Sequence, residues 1–460
     1  MTGAYIKTIL LVALIIPTCN NPSLAGGELE LDRLLSRRMA LEYSQQIRLS
    51  QNLQQQFQFK EKIAQAAYFP ALSASGLYFY FPDKIEYTIS PRSMVNLEGG
   101  LGEIIGELLS DFDVNIGLKG VTMAGIQMDQ AVYMGGRIRA AQKMAKTTTE
   151  MALLGVELTE TEIIALSDAA FYRYITLKEK KEAATAYHEL LDELVARLED
   201  NMKEGGTTRN DLLKARIKQH EAILRVQEAG SSLELARMDL CQVIGLPLDS
   251  RIQTGKELHP ENLDFSVVLK TDPGPENRPE YHILDKAIQL SLYNEKMAIA
   301  EMLPQVGVRT GYNYFGGLEI GGNSAHAAAF SAMATVNIPI FNWNSGRNQR
   351  SVARLQTDAA KIEKEDAEKK MILDIARSRL MLEDAIARMN LTARLLEQAE
   401  ENLNASKDMF DQGMVPLADL LEAQAHWQAA SNDHIDALGA VMLQRTMYLK
   451  SAGELTAEAF

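Results

Sequence analysis

Asp419 and Glu422, in the segment PLADLLEAQ, stand three residues apart. A helix puts both carboxylates on one face. The corresponding place in an earlier segment, NDLLKAR, holds Asp211 and then Lys214, so the doubled acid occurs once. Asp419 by itself reads equally well as a first-turn acid, a place the helix dipole favours. Other reactive residues are sparse. The 7 histidines are scattered without metal-ligand spacing, so no metal is expected. Stretches such as NSGRNQ and EIGGN contain glycines without the phosphate-cradling P-loop spacing. No nucleophile stands with a base and an orienting acid, so neither an enzyme nor a cofactor is expected. Cys241, in LARMDLCQVIG, reads as a small buried hydrophobe.

The elements that carry these residues are helical and long. The chain is 46% hydrophobic and 23% charged, which fits neither a disordered chain nor a multi-span helical membrane protein. Lys7, the apolar run ILLVALII and the small-residue site Ser23-Leu24-Ala25 have the form of a secretory signal peptide over 1–25. A lipoprotein signal acylated at Cys19 is the alternative. A net charge of −14 argues against a nucleic-acid partner.

The chain then reads as two copies of one plan. YFPALSASGLYFYF resembles MLPQVGVRTGYNYF, with Pro70 against Pro304. QAVYMGGRIRAAQ resembles PIFNWNSGRNQRS, with Gly136 against Gly346. Gly205 then falls against Gly413, and Gly245 against Gly453. Each copy runs helix, strand, loop, strand, long helix, glycine turn, helix. The long helices, at about 137–204 and 347–412, contain no proline. Ile375, Leu382, Ile386, Met389, Ala393, Leu396 and Leu403, with Arg379 and Glu400 filling two places, predict a coiled-coil seam of alternating fours and threes. The expected organisation is signal peptide 1–25, first repeat 26–245, connector 246–277, second repeat 278–454 and tail 455–460. Hairpins are expected at about 71–134 and 305–340. Leu263, Phe265, Val267 and Leu269 predict that the connector packs as a belt.

The strands alternate. From Gln305 to Tyr314, Val306, Val308, Thr310, Tyr312 and Tyr314 share one face, and Arg309 and Asn313 the other. Roughly ten residues of such alternation, ending in aromatics, is the pattern of a transmembrane β-strand. Four strands cannot close a barrel, and lipid tolerates no open edge, so two or three chains would have to share one. The other reading is a soluble periplasmic coiled-coil scaffold with amphipathic hairpins packed on its helices. The segment 99–112 reads as a loop helix, and Phe341 with Trp343 as an interfacial anchor.

In their order and duplication these segments resemble the TolC-type outer-membrane efflux proteins: the x-P-x-L or x-P-x-V strand entries, the GGR and SGR helix starts, and the glycine turns ahead of Asp211 and Asp419. The resemblance implies a mainly α protein with a small β part. Its helices would form a coiled-coil tunnel across the periplasm, and its four strands a share of a twelve-stranded barrel in a homotrimer embedded in outer-membrane lipid. It also implies a passive exit duct, a periplasmic adaptor, and an inner-membrane transporter of the resistance-nodulation-division, ABC or major-facilitator type. In this family acidic rings line the periplasmic entrance, which points to Asp419 and Glu422. The tip turns at Gly205, Gly206, Asp211 and Gly413 would meet the adaptor and gate the entrance. Phe410 and Val415 stand where the family has a tyrosine and an arginine, so the polar latch is partly apolar here. Arg309 and Asn313 are expected to face the barrel lumen.

Overall fold

The computed structural model describes residues 29–89, 114–255, 273–320 and 323–458. The expected signal peptide with Cys19, the loop helix at 99–112 and the belt residues Leu263, Phe265, Val267 and Leu269 lie outside these residues. The elements in chain order are β1 (Leu29–Glu30), α1 (Arg33–Tyr43), α2 (Gln45–Ala66), β2 (Ala71–Ile89), β3 (Val114–Met134), α3 (Arg137–Lys203), α4 (Arg209–Ile244), β4 (Ile252–Gln253), a 3-10 turn at Pro275–Asn277, α5 (Pro279–Ala300), β5 (Gln305–Ile320), β6 (Asn323–Asn337), α6 (Ser345–Asp411) and α7 (Leu417–Ala452). The fold is mainly helical. No helix among the described residues is long and apolar enough to cross a membrane, which says nothing of a β-barrel.

Helices α3 and α6 are each 67 residues long, and α4 and α7 each 36. At about 1.5 Å per residue the long pair reaches ~100 Å. Next to the sheet the helices lie in the order α2, α3, α5, α6; away from it the order is α4, α3, α7, α6. The two long helices therefore run the full height, and pairs of shorter helices fill the rest. Helix α1 packs on α3 and α4, and β1 pairs in parallel with β4.

Every long helix begins or ends where the chain turns left-handed. Gly135 and Gly136 (φ 62° and 88°) lead into α3, and a side chain at Gly135 would press on the Ala300 carbonyl and Leu303. Trp343 and Asn344 (φ 54° and 62°) take the same conformation before α6. This corrects the expected alignment of Gly136 with Gly346. Gly346 lies inside α6, buried against Met302, and Asn344 occupies the place of Gly136. Matching by glycine misled because a second residue type took the left-handed turn at a steric cost.

The seam of α6 has the predicted period but a different membership. Met371, Ile375, Ser378, Leu382, Ala385, Met389, Thr392, Leu396, Ala399 and Leu403 turn inward at alternating steps of four and three. Ala393 and Glu400 are exposed, Arg379 is half-buried, and Ile386 only flanks the core. Ser378, Ala385 and Ala399 are smaller than the expected Arg379, Ile386 and Glu400, and at Ser378 this lets α6 meet Ser451 of α7 directly. The hydroxyls that enter the seam are satisfied within it. Ser378 Oγ lies 3.0 Å from the Ile375 carbonyl and 2.5 Å from Ser451 Oγ, and Thr392 Oγ1 donates to the Arg388 carbonyl at 3.0 Å.

A charged cluster sits in the middle of the core. Arg37 on α1 is 1% exposed and Asp168 on α3 0%. Asp168 accepts Arg37 Nε at 2.7 Å, Arg37 Nη2 at 2.5 Å and the Thr446 hydroxyl of α7 at 2.7 Å. Ser36 and Ser167 join beside it at 2.8 Å. Around it pack Phe171, Ile175, Leu240, Ile244 and the buried Cys241, as expected for that thiol.

Removing the Asp168 carboxylate strands a buried guanidinium. Asp168→Ala should cost on the order of 3–5 kcal/mol, read as a lowered denaturant midpoint. Thr446→Val should cost only about 1 kcal/mol, since the ion pair stays. His434 on α7 is half-buried beside Thr392, and burial depresses its pKa. The unfolded chain then binds a proton that the folded one resists. Stability should be full above about pH 6.5, the ordinary histidine value, and fall as pH drops toward the lowered value. His434→Gln should flatten that loss in thermal melts from pH 7 to pH 5.

Candidate functional site

Two glycine turns close the end of the helical ribbon remote from the sheet. At the first, Gly205 (φ 83°) ends α3 and the Gly206 N–H donates to the Asn201 carbonyl at 2.8 Å. At the second, Gly413 (φ 70°) ends α6 and the Met414 N–H donates to the Met409 carbonyl at 2.9 Å. Both are Schellman turns, whose left-handed residue favours glycine. A Cβ at Gly205 or Gly413 would meet nothing, so backbone conformation rather than space selects glycine there.

The helices that leave these turns begin differently. Thr208 caps α4: its Oγ1 accepts the Asp211 N–H at 3.2 Å and donates to Asp211 Oδ2 at 2.7 Å. Lys214 Nζ lies 3.3 Å from the other oxygen. The Thr208 hydrogen bond first, then Lys214, holds the Asp211 carboxyl below the usual carboxylate range. Asp211 is thus used locally. Helix α7 starts at Pro416 without a side-chain cap. Asp419 is exposed, and among the described residues its carboxylate has no hydrogen bond or ion pair. Glu422 shares its exposed face, with Oε1 3.5 Å from His426 Nε2 one turn further on. His426 extends the acid pair; only its spacing of four from Glu422 marked it in the sequence.

Behind this face lies an apolar cluster. Leu191, Leu194 and Leu198 of α3 meet Leu403 of α6 and Leu417 and Leu420 of α7, with Phe410 and Trp427 at the margin. Phe410 therefore packs inward, and Val415 is half-buried in the turn beside it. A polar link that the sequence did not reveal stands close by: Arg197 Nη1 lies 3.2 Å from Asp411 Oδ1, joining α3 to α6. Neither local sequence marks it, because only helix packing brings the two residues opposite each other. Half-exposed, it contributes little to stability.

Arg309 and Asn313 lie far from these turns, in a four-stranded antiparallel sheet of order β2-β3-β5-β6. Strand β5 runs 16 residues, beyond the ten whose side chains alternate, because backbone pairing continues through Phe315–Ile320 after the alternation lapses. Register fixes the faces. Ala74, Ile126, Tyr312 and Phe330 form one row, and Ile126, Tyr312 and Phe330 are exposed. The adjacent row on the opposite face is Ser73, Gln127, Gly311 and Ser331. Arg309 shares that polar face and is neutralised there: its Nε lies 2.5 Å from Asp129 Oδ1 on β3. Asn313 Nδ2 donates to Ser331 Oγ at 3.2 Å. Parity in the sequence sets Asp129 on the polar side with Gln127, and strand pairing makes it the partner of Arg309. Farther from the helices this face turns apolar, at Leu77, Met123 and Phe315. Phe341 and Trp343 stack edge-on at 5.0 Å between sheet and helices, with Trp343 85% exposed.

Among the described residues no group of three or more histidine, cysteine or acidic side chains could hold a metal ion. The chain is 25% identical over 334 residues to the cobalt-zinc-cadmium resistance protein CzcC of Cupriavidus metallidurans, covering 70% of this chain and 75% of that protein. Its fold matches CusC, described in terms of transmembrane channel formation, with a TM-score of 0.73 at 13% identity over 94% of this chain and 95% of that one. It also matches the open state of the Neisseria gonorrhoeae outer membrane channel MtrE, with a TM-score of 0.70 at 18% identity over 92% and 89% of the two chains. Residues 276–450 match the family model for outer membrane efflux proteins.

Proposed function

We propose that this chain is one of three identical subunits of an outer-membrane exit duct, which passively conducts cargo delivered by a periplasmic adaptor and an inner-membrane transporter. The observation that carries this reading is a subunit with unfinished edges on every level. Strands β2 and β6 end the sheet with one side unpaired, which lipid does not tolerate. Helix α6 is likewise an outer helix and leaves Leu355, Ile362, Leu373 and Leu380 exposed. On the opposite flank Leu49 and Ile63 of α2, and Ile217 and Leu224 of α4, are exposed too. One flank differs from the other, so the same contact repeated head to tail generates a ring. Three copies give twelve strands, the number the resemblance implies, with the helical ribbons forming the tunnel. The exposed aromatic residues of the sheet, Tyr78, Tyr80, Tyr312 and Phe330, suit lipid better than a soluble scaffold.

In that ring Arg309 and Asn313 line the lumen, and the apolar row of Ile126, Tyr312 and Phe330 meets lipid. The halves 26–245 and 278–454 act as two structural repeats about the connector 246–277. The turns at Gly205, Gly206 and Gly413 form the adaptor-facing tips. Asp419 and Glu422, uncapped where Asp211 is capped, form the acidic ring of the entrance, beside Phe410 and Val415. The acid pair and the likeness to a cobalt-zinc-cadmium resistance protein together favour divalent metal cations as the cargo class. The transporter is of the resistance-nodulation-division, ABC or major-facilitator type.

The detergent-extracted protein should migrate as a heat-modifiable trimer, and Leu355→Glu with Ile362→Glu should leave monomers on size-exclusion light scattering. A mature wild-type protein that is soluble and monomeric without detergent would overturn the duct. Asp419→Ala with Glu422→Ala should weaken block by multivalent cations at least several-fold in single-channel recordings; unchanged block would remove both residues from the entrance.

A further inference from the structure

The chain carries a net charge of −14, yet it turns basic where the helices meet the sheet. Residues 137–146, at the start of α3, hold Arg137, Arg139, Lys143 and Lys146 and no acid. Residues 345–354, at the start of α6, hold Arg347, Arg350 and Arg354 and no acid. With Asn344 in the place of Gly136, Arg347 stands where Arg139 does and Arg354 where Lys146 does, so both copies of the plan repeat the feature. The helix dipole disfavours cations near an N-terminus, so local structure does not account for them.

Arg139 and Lys143 share a groove with Tyr293 and Lys296 of α5, bounded on the sheet side by Gly135 and Gly136. Lys143 Nζ and Lys296 Nζ lie 5.6 and 5.3 Å from the centre of the Tyr293 ring. Among the described residues neither lysine nor Arg139 has an ion pair. Three like charges thus converge with no counter-charge, an arrangement that an anion would relieve. The groove opens on the more exposed side of the helical layer. On α3 Arg139, Lys146 and Leu153 are exposed, whereas Ala141, Thr148 and Gly155 on the opposite stripe are half-buried. On α5 Gln289, Leu292 and Lys296 are exposed, and Ala287, Ser291 and Ala298 opposite them are half-buried. A layer of helices curves toward the side with the smaller side chains, so the cations lie on its convex face. Exposed aromatic residues mark the same level: Tyr68, Phe69, Tyr133, Phe341 and Trp343. Such residues favour a membrane–water interface. The headgroup layer beyond it is about 5–7 Å deep, roughly one helical turn. Arg137, Arg139 and Arg347 fall within that depth. Side chains on a helix lean toward its N-terminus, here toward the sheet, so the long stems of Lys143 and Lys146 reach the same layer.

We propose that this basic band is a binding surface for acidic phospholipid headgroups, and that the groove between α3 and α5 takes one headgroup phosphate between Arg139, Lys143 and Lys296. Arginine and lysine meet phosphate through charge-assisted hydrogen bonds. Each cation held near an anionic lipid surface adds to the attraction. The lipid source rests on the duct reading, which puts the sheet in a bilayer; the affinity for the headgroup does not.

Native mass spectrometry of the full-length protein in detergent, with phosphatidylglycerol or phosphatidylcholine added, tests the surface. The wild type should retain phosphatidylglycerol in preference to phosphatidylcholine. Arg139→Gln with Lys143→Gln and Lys296→Gln should weaken phosphatidylglycerol binding at least tenfold. Lys361→Gln with Lys369→Gln and Lys370→Gln removes the same charge farther along α6 and should leave binding unchanged. Arg139→Lys with Lys143→Arg and Lys296→Arg keeps the charge and should keep the lipid. Equal retention of the two lipids by the wild type, unchanged binding by the first variant, or an equal loss in the distant or the charge-keeping variant overturns the proposal. Inorganic phosphate that displaces phosphatidylglycerol at equal concentration overturns the lipid as ligand. A wild type that retains phosphatidylglycerol in detergent but does not insert into liposomes overturns the duct reading and leaves the headgroup site standing.

Discussion

Helix α3 has to bury an apolar stripe along ~100 Å, and each helix packed along it covers only part of that length. Helices α1, α2, α4, α5 and α7 each take a portion, so the subunit is assembled along a spine. An isolated helix is marginal in water, and a helix within a protein gains most of its stability from tertiary packing rather than from propensity. The architecture therefore depends on partners being present at every level of α3. The equal lengths of α3 and α6, and of α4 and α7, follow from the same need: each hairpin of helices spans the same stretch of the ribbon.

The polar residues inside this packing do different work according to whether they are paired. Asp168 and Arg37 are buried deeply enough that either alone would be costly, and together with Thr446 they tie three helices that are distant in sequence. Such an arrangement fixes which faces meet more than it adds stability. The hydroxyls of Ser378 and Thr392 are satisfied by their own helix, so they can enter the seam where small side chains are wanted. The Oε1 atoms of Gln424 and Gln428, and Nε of Arg445, are buried on α7 without a hydrogen-bond partner.

The sheet shows how alternation and register share the task. Parity along β5 placed Arg309 and Asn313 on one face and Tyr312 on the other, and pairing with β3 and β6 kept these assignments. What parity could not convey was charge. Arg309 is half of an ion pair with Asp129 across the strands, so the polar face at that level is close to neutral. At the tips the balance is the reverse. Asp211 is tied to Thr208 and Lys214, whereas Asp419 is left without such ties and Glu422 meets only the His426 ring, which gives the two similar turns different electrostatic characters.

The sequence by itself determined the periodic features: which segments are helix and which strand, the period of the α6 seam, the left-handed glycines at Gly205, Gly413, Gly245 and Gly453, and the face that each strand residue takes. These follow from local geometry, which repeats along the chain and leaves its imprint residue by residue. Tertiary structure alone decided the rest. It chose Ser378 and Ala385 over the larger Arg379 and Ile386, put Asn344 in a place where glycine was expected, buried Arg37 against Asp168, and left the Oε1 atoms of Gln424 and Gln428 without a partner. Each of these depends on the distance between two helices or two strands, and that distance is set by all the side chains in the contact together, so no single stretch of sequence contains it.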